Sequence, residues 1–328
     1  MNRVLVTGGA GFIGSALCRT LAASVDQVVV LDDLSSGRAE NLEGVDVTFH
    51  HGSVLDETLV DRLVSMVDVV FHLACKGVRH SIHDPRGNHE VNASGTLILL
   101  EASRRSGVRR FVYTSTSEVY GTALQTPMPE SHPTYPHTVY GGAKLAGEAY
   151  TRAYHRVYGL ETVVVRPFNA YGPRSHHEGD SGEVIPKFLV RAMNGNPPII
   201  FGDGSQTRDF TYVDDTASGI AQAGEAEAVV GETVNLGSGS EVRIDDLAGI
   251  ILQAVGRDDL KPVYSQARPG DVHRLLADSA LAKELMGWEP DVNLEEGIEK
   301  LLKWHVEAGT DWVFALSQDY ERNWEPPE

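Results

Sequence analysis

Apolar residues in the first half of the chain fall into short continuous runs. Between the runs they recur every three or four positions. Residues 3–7 form the first run, and 14–23 carry the helical spacing that follows. Runs at 28–32, 45–49, 67–73, 109–115 and 160–166 repeat the strand pattern. Longer helical patterns cover about 88–106 and 139–158. A strand buried on one face alternates, whereas a continuous apolar run implies cover on both faces. The order strand, helix, strand therefore predicts an α/β fold: a Rossmann-type, doubly wound parallel sheet with its ligand at the carboxyl ends of the strands.

The pattern loosens after Pro167. Gly, Pro and His enrich over 169–182, and only short strand-like runs follow, at 199–201, 210–213 and 233–236. Helical stretches lie near 244–254 and 294–304. This predicts a dinucleotide-binding domain over 1–168, to which a segment near 209–240 returns, and a smaller C-terminal α/β substrate lobe over 169–328. Trp288, Trp304 and Trp312 read as packing within that lobe, and residues 323–328 as a fraying end. No internal repeat or low-complexity tract is present.

Net charge is −18 and the pI is about 5.1, which argues against nucleic acid and anionic membrane as partners. An anionic ligand would need a local cationic site. The two cysteines, Cys18 and Cys75, sit in apolar contexts and suggest neither a disulfide framework nor a zinc site. The chain starts directly in a strand pattern, without an apolar signal core or a run of transmembrane length, so a soluble cytoplasmic protein is expected.

The stretch Thr7-Gly-Gly-Ala-Gly-Phe-Ile-Gly14 joins the first strand to the first helix. Gly8, Gly9, Gly11 and Gly14 let the backbone turn tightly and approach a pyrophosphate. Phe12 and Ile13 begin the helix, whose amino end favours anions. Asp32 ends the second strand, eighteen residues beyond Gly14. A carboxylate there accepts from an adenosine ribose hydroxyl and repels a 2′-phosphate, so NAD is expected rather than NADP. Ser53 and Val54 follow the third strand and would flank the adenine.

Tyr140 and Lys144 share a helical face. A free phenol has a pKa of about 10 and is a poor base at neutral pH. A nearby ammonium, with the charge of an oxidised nicotinamide, would stabilise the phenolate. The phenolate could then remove a hydroxyl proton while hydride leaves the same carbon. Upstream, Thr114-Ser-Thr-Ser-Glu-Val-Tyr-Gly121 ends a strand run. If that strand continues, Thr116 and Glu118 point to one face.

These motifs identify a resemblance. TGGAGFIGS, FHLA (71–74), VNASGT (91–96), TSTSEVYG, YGGAK, RPFNAYGPR (166–174) and FGDGSQTRDFTYVDD (201–215) resemble the extended short-chain dehydrogenases/reductases, in the NAD-dependent nucleotide-sugar epimerase/dehydratase group. The likeness spans nearly the whole chain. It implies tightly held NAD, oxidation of a sugar hydroxyl, commonly at C4, and return of the hydride after rearrangement. It assigns Tyr140 as base, Lys144 as its partner and ribose anchor, and Thr116 as the hydroxyl that shares the substrate proton. Leu73, Ala74 and Asn92 would border the cofactor. Asn169 would meet the nucleotide diphosphate, with Arg208 near the nucleotide, Arg268 near the phosphates and Lys76 at the substrate; the plain alternative for Glu118 is a solvated carboxylate, or one paired with Lys76 or a nearby histidine. Many relatives carry Gly-Asp where this chain has Gly52-Ser53, which leaves the adenine to Ser53 or holds it less firmly. The resemblance also implies a homodimer built on the helices near 88–106 and 139–158.

Thr116-Ser117-Glu118 is similar to the Thr-Ser-Glu run of GDP-mannose 4,6-dehydratases and of dehydratases acting on nucleotide-linked N-acetylglucosamine, where the glutamate takes the C5 proton. dTDP-glucose 4,6-dehydratases have Asp at the place of Ser117. The expected activity is therefore an NDP-hexose 4,6-dehydratase. A UDP-sugar 4-epimerase, which needs no C5 base, is the alternative. A UDP-glucuronate decarboxylase would need a cation for its carboxylate, for which Arg174 and Arg274 are candidates. A non-catalytic NAD sensor and a net reductase complete the alternatives. The adjacent His176 and His177 read as loop or substrate contacts, and no metal is expected.

Overall fold

The computed structural model describes residues 1–325. A seven-stranded, wholly parallel sheet forms its centre, with strand order β10-β6-β5-β4-β1-β2-β3. The strands are β1 (Arg3–Thr7), β2 (Gln27–Asp32), β3 (Thr48–His51), β4 (Val69–His72), β5 (Arg110–Thr114), β6 (Glu161–Pro167) and, far downstream, β10 (Thr233–Leu236). Apolar clusters cover both faces. One is built on the helices Phe12–Ala22 and Val213–Ala223, the other on Glu57–Val64 and Gly95–Ser106. This is the doubly wound α/β architecture, and the buried strands explain why the sequence reads as continuous apolar runs.

Between β6 and β10 lie β7 (Asn169–Tyr171), β8 (Ile199–Phe201) and β9 (Thr207–Tyr212), and β11 (Glu241–Arg243) and β12 (Val263–Ser265) follow. They form a three-stranded sheet, β11-β9-β7, and a two-stranded pair, β12-β8. A separate apolar cluster joins them to the helices Val184–Met193, Ile244–Ala254 and Leu294–Glu307.

Several predicted elements are redrawn. The third strand lies at Thr48–His51, later than its apolar run. The helix expected over 88–106 is interrupted: a short helix Pro85–His89 passes through a π-helical turn, Glu90–Ser94, into Gly95–Ser106. Asn92 lies in that turn and reaches back to the Lys76 backbone, a contact that regular helical spacing does not reveal. Asn323 and Trp324 do not fray: they are only 5% and 7% exposed. The remainder of the expected fraying end, 326–328, lies outside the described residues.

Gly14 shows how tightly the first turn is built. A Cβ on Gly14 would stand 2.0 Å from the Gly8 carbonyl oxygen. Gly14→Ala should therefore cost about 1–3 kcal/mol by overpacking. The check is a lower urea midpoint with an unchanged slope.

His72 is sealed at the end of β4 between the hydroxyls of Thr7 at 2.8 Å and Thr96 at 3.0 Å. Burial, aided by the charge of Lys144, holds its pKa well below 6.5. The fold thus favours neutral His72, while the unfolded chain takes up a proton near pH 6.5. The stability contributed is full above about 6.5 and is lost as pH falls below it, at up to about 1.4 kcal/mol per pH unit. Urea midpoints at pH 7.5, 6 and 5 should follow this fall, with a shallower slope for His72→Gln.

Candidate active site

One large cavity opens at the carboxyl ends of β1, β2, β4, β5 and β6. At one end it is lined by Gly8, Gly11, Phe12, Ile13, Gly14, Asp32, Val54, Leu73 and Ala74. Gly8 has φ +73°, and a Cβ there would press to 2.7 Å from the Ala74 amide nitrogen. The Phe12–Ala22 helix has Gly11 as its N-cap and no acidic residue in its first turn, which suits an anion. Asp32 accepts from the amides of Ala10 at 2.9 Å and Leu34 at 2.8 Å. Burial raises its pKa, against the pull of those amides. Arg38, a cation that could meet a 2′-phosphate, is bound instead to Glu178 at 2.6 Å. The glycine cradle and the carboxylate thus fit a dinucleotide with a free ribose diol.

Two residues expected at the cofactor are placed elsewhere. Asn92 does not line the cavity; it exchanges hydrogen bonds with the Lys76 backbone, both at 2.9 Å, and holds that loop. Ser53 does not line it either, and its hydroxyl accepts from the Leu55 amide at 3.2 Å.

Thr116, Glu118, Tyr140 and Lys144 meet further along the cavity wall. The strand ends at Thr114, so Thr116 and Glu118 are not neighbours on a strand face as expected. Thr116 caps a 3-10 turn, Ser117–Val119, and accepts from the Glu118 amide at 3.2 Å. Among the described residues no hydrogen bond or ion pair ties down the Glu118 carboxylate; the pairing with Lys76 or a histidine is not formed. Tyr140 and Lys144 stand in the first turns of the helix Val139–Tyr158, which Thr138 caps by accepting from Gly141 N.

Lys144, one helical turn beyond Tyr140, is held by the strand end. Its ammonium donates to Thr114 O at 2.6 Å and lies 4.4 Å from the centre of the Tyr113 ring. It makes no hydrogen bond to Tyr140 among the described residues. Burial lowers the Lys144 pKa, opposed by Cys75 and Glu148. Burial, then the charge of Cys75, pushes the Tyr140 phenol well above 10, while Thr116 pulls it down. Without cofactor the phenol is therefore protonated. Behind the site, Glu148 takes hydrogen bonds from Ser115 at 2.6 Å and from Arg166 at 2.8 and 2.6 Å. This fixes the end of β5 against the Tyr140 helix.

Beyond Tyr140 the lining turns cationic. Arg208 and Arg268 converge on Asp271 at 2.7 and 2.5 Å. Two guanidiniums on one carboxylate leave net positive charge on an acidic protein. Asn169 and Lys76 line the same cavity, and Asn169 Oδ1 is buried without a partner. Arg174 and Arg274 do not line it. Arg174 lies over the Trp304 ring at 5.7 Å, and Arg274 pairs with Glu241.

The sequence pattern of the family described as GDP-mannose 4,6 dehydratase matches residues 5–301. The chain belongs to this family. It is 41% identical to a UDP-glucose 4-epimerase of Mycolicibacterium smegmatis over 92% of this chain and 97% of that protein. Among solved structures it is similar to a UDP-glucose 4-epimerase of Thermotoga maritima with UDP-glucose, at TM-score 0.89 and 37% identity, covering 94% of this chain and all of that one. It is also similar to DesIV, a dTDP-glucose 4,6-dehydratase of Streptomyces venezuelae crystallised with NAD, at TM-score 0.87 and 34% identity, over 93% and 97% of the two chains. The chain is thus an extended short-chain dehydrogenase/reductase and an enzyme of the nucleotide-sugar epimerase/dehydratase group.

Within the family frame, several lining residues carry no sequence sign of a place in the site. Lys187 sits in an apolar helical stretch, and Phe201 in a three-residue strand. Glu183 also lines the cavity; burial raises its pKa to about 7, and its Oε2 has no partner. His176 and His177 share Glu178 at 3.2 and 3.3 Å. Burial would raise that carboxyl, but His176 draws it down to about 2. Among the described residues no cluster of His, Cys, Asp and Glu could hold a metal ion. No helix is long and apolar enough to cross a membrane.

Proposed function

We propose that this chain is an NAD-dependent NDP-hexose 4,6-dehydratase working through a 4-keto sugar. The observation that carries the reading is Glu118, an untethered carboxylate in the cavity wall with Tyr140 and Thr116. Bound NAD would supply one piece of chemistry, accepting hydride from C4 and returning it to the sugar. The glycine turn and Asp32 hold the dinucleotide. Arg208, Arg268 and Asn169 hold the nucleotide diphosphate. Tyr140 removes the proton of the C4 hydroxyl, and Thr116 shares that hydrogen bond. The C4 ketone acidifies C5–H, and Glu118 takes that proton. The C5–H electron pair becomes the C5–C6 double bond, and the C6 hydroxyl leaves as water with the proton that Glu118 took; the hydride would return at C6 while a solvent proton adds at C5.

A second reading is a UDP-sugar 4-epimerase, favoured by the 41% identity to the mycobacterial epimerase. Glu118 is then a substrate contact. A decarboxylase has less support, since neither Arg174 nor Arg274 lines the cavity. A bare NAD sensor does not call for four catalytic-type groups in one place. A homodimer belongs to the proposal as well. Leu97, Val157 and Tyr158 are exposed apolar residues on the two candidate helices.

The deciding experiment is incubation with UDP-glucose, UDP-N-acetylglucosamine, UDP-glucuronate, GDP-mannose and dTDP-glucose in deuterated water. Mass spectrometry and NMR read the products. Loss of one water with deuterium at C5 supports dehydration. An isobaric C4 epimer without deuterium replaces it with epimerisation.

A further inference from the structure

We propose that residues 319–324 form the wall of the nucleotide-sugar site that holds the nucleobase, and so set how tightly this chain binds its nucleotide. The proposal rests on the nucleotide-sugar reading above. The family match ends at residue 301, so this segment lies beyond the shared pattern.

Past the helix Trp312–Ser317 the chain folds back over the helix Val184–Met193. The Asp319 side chain, 2% exposed, is set between Lys187 Nζ at 3.0 Å and an Arg191 guanidinium nitrogen at 3.1 Å. Lys187 also donates to Tyr320 O at 2.5 Å. Asn323 donates to Gly182 O at 3.1 Å. The Trp324 ring stands at 85° to Phe201, with centroids 4.7 Å apart. Asp319, Asn323 and Trp324 line the same cavity as Tyr140. A loose tail would have none of these anchors, and the buried Asp319 would be costly without its two cations.

The connections of Phe201 point to the ligand part. Phe201 pairs in register with Ser265, three residues before Arg268. Its carbonyl accepts from Gln206 at 2.7 Å, two residues before Arg208. The Phe201–Trp324 pair therefore stands beside the two arginines. A nucleotide sugar held there by its phosphates, with its hexose toward Tyr140, carries its base to the aromatic pair. A planar base stacks on such rings whatever its identity. Asn323 Oδ1, to which no described residue donates, is an acceptor for a base N–H.

The test measures binding of UDP, dTDP and GDP by calorimetry to the NAD-loaded full chain, to Trp324→Ala, to Asp319→Ala and to a chain ending at Ser317. For the tightest of the three nucleotides, Kd should rise about tenfold in Trp324→Ala and in the shortened chain, with NAD content unchanged. Unchanged or tighter nucleotide binding, with NAD retained, overturns the proposal while leaving the nucleotide-sugar reading intact. If the shortened chain does not fold, the two point variants decide by the same criterion. Failure of the intact, NAD-loaded chain to bind any of the three overturns the nucleotide-sugar reading, and this proposal with it.

Discussion

Tyr140→Phe should lower kcat by about 10²–10⁴-fold, the range for losing a positioned general base. The two neighbours of the phenol are poor substitutes: Lys144 is a cation bonded to the Thr114 carbonyl at 2.6 Å, and the Thr116 hydroxyl is no base at neutral pH. The ring remains in the Phe variant, so NAD content and the urea midpoint should hold. Burial sets the phenol above its ordinary pKa in the free protein. The active form is the deprotonated one, so wild-type turnover should rise with pH, and the Phe variant should lose that rise. A loss below tenfold, or a retained pH slope, would assign the proton to another group.

Glu118→Gln carries the second large effect and separates the chemistries. In a dehydratase it should slow deuterium exchange at C5 and product formation by about 10²–10⁴-fold, while C4 oxidation, read as NADH absorbance in a single turnover, proceeds. Gln keeps the shape and the hydrogen-bonding oxygen but cannot take a proton, and among the described residues Glu118 makes no ion pair whose loss could disturb the fold. Retained C5 exchange in this variant would refute its role as base. If the wild-type enzyme shows no exchange and the variant keeps its rate, the enzyme is an epimerase.

The contrast between these two residues marks how far the sequence could be read. Tyr140 and Lys144 were legible because the helical repeat alone brings positions four apart together. Their mutual chemistry was not, because the direction of the Lys144 ammonium depends on the Thr114 carbonyl, which a different element presents. Strand alternation would place Thr116 and Glu118 on one face, but the structure brings them together otherwise. The strand stops at Thr114, and a capped 3-10 turn, not strand alternation, brings them to the cavity. Asn92 and Ser53 were assigned by position in a motif, yet each spends its polar group on nearby backbone. The π-helical turn that redirects Asn92 has no apolar period to announce it.

Local sequence encodes the parallel sheet, the glycine turn, Asp32 at the second strand end and the Tyr140–Lys144 helix. Each depends on short-range periodicity or on backbone freedom, which neighbouring residues encode. Long-range packing sets the rest: Arg208 and Arg268 share one carboxylate, Lys187 and Phe201 reach the cavity, and Asp319, Asn323 and Trp324 line it. These groups are separated by tens to hundreds of positions. Their meeting depends on how strands β8, β9 and β12 and the last helices pack, and no local pattern carries that information.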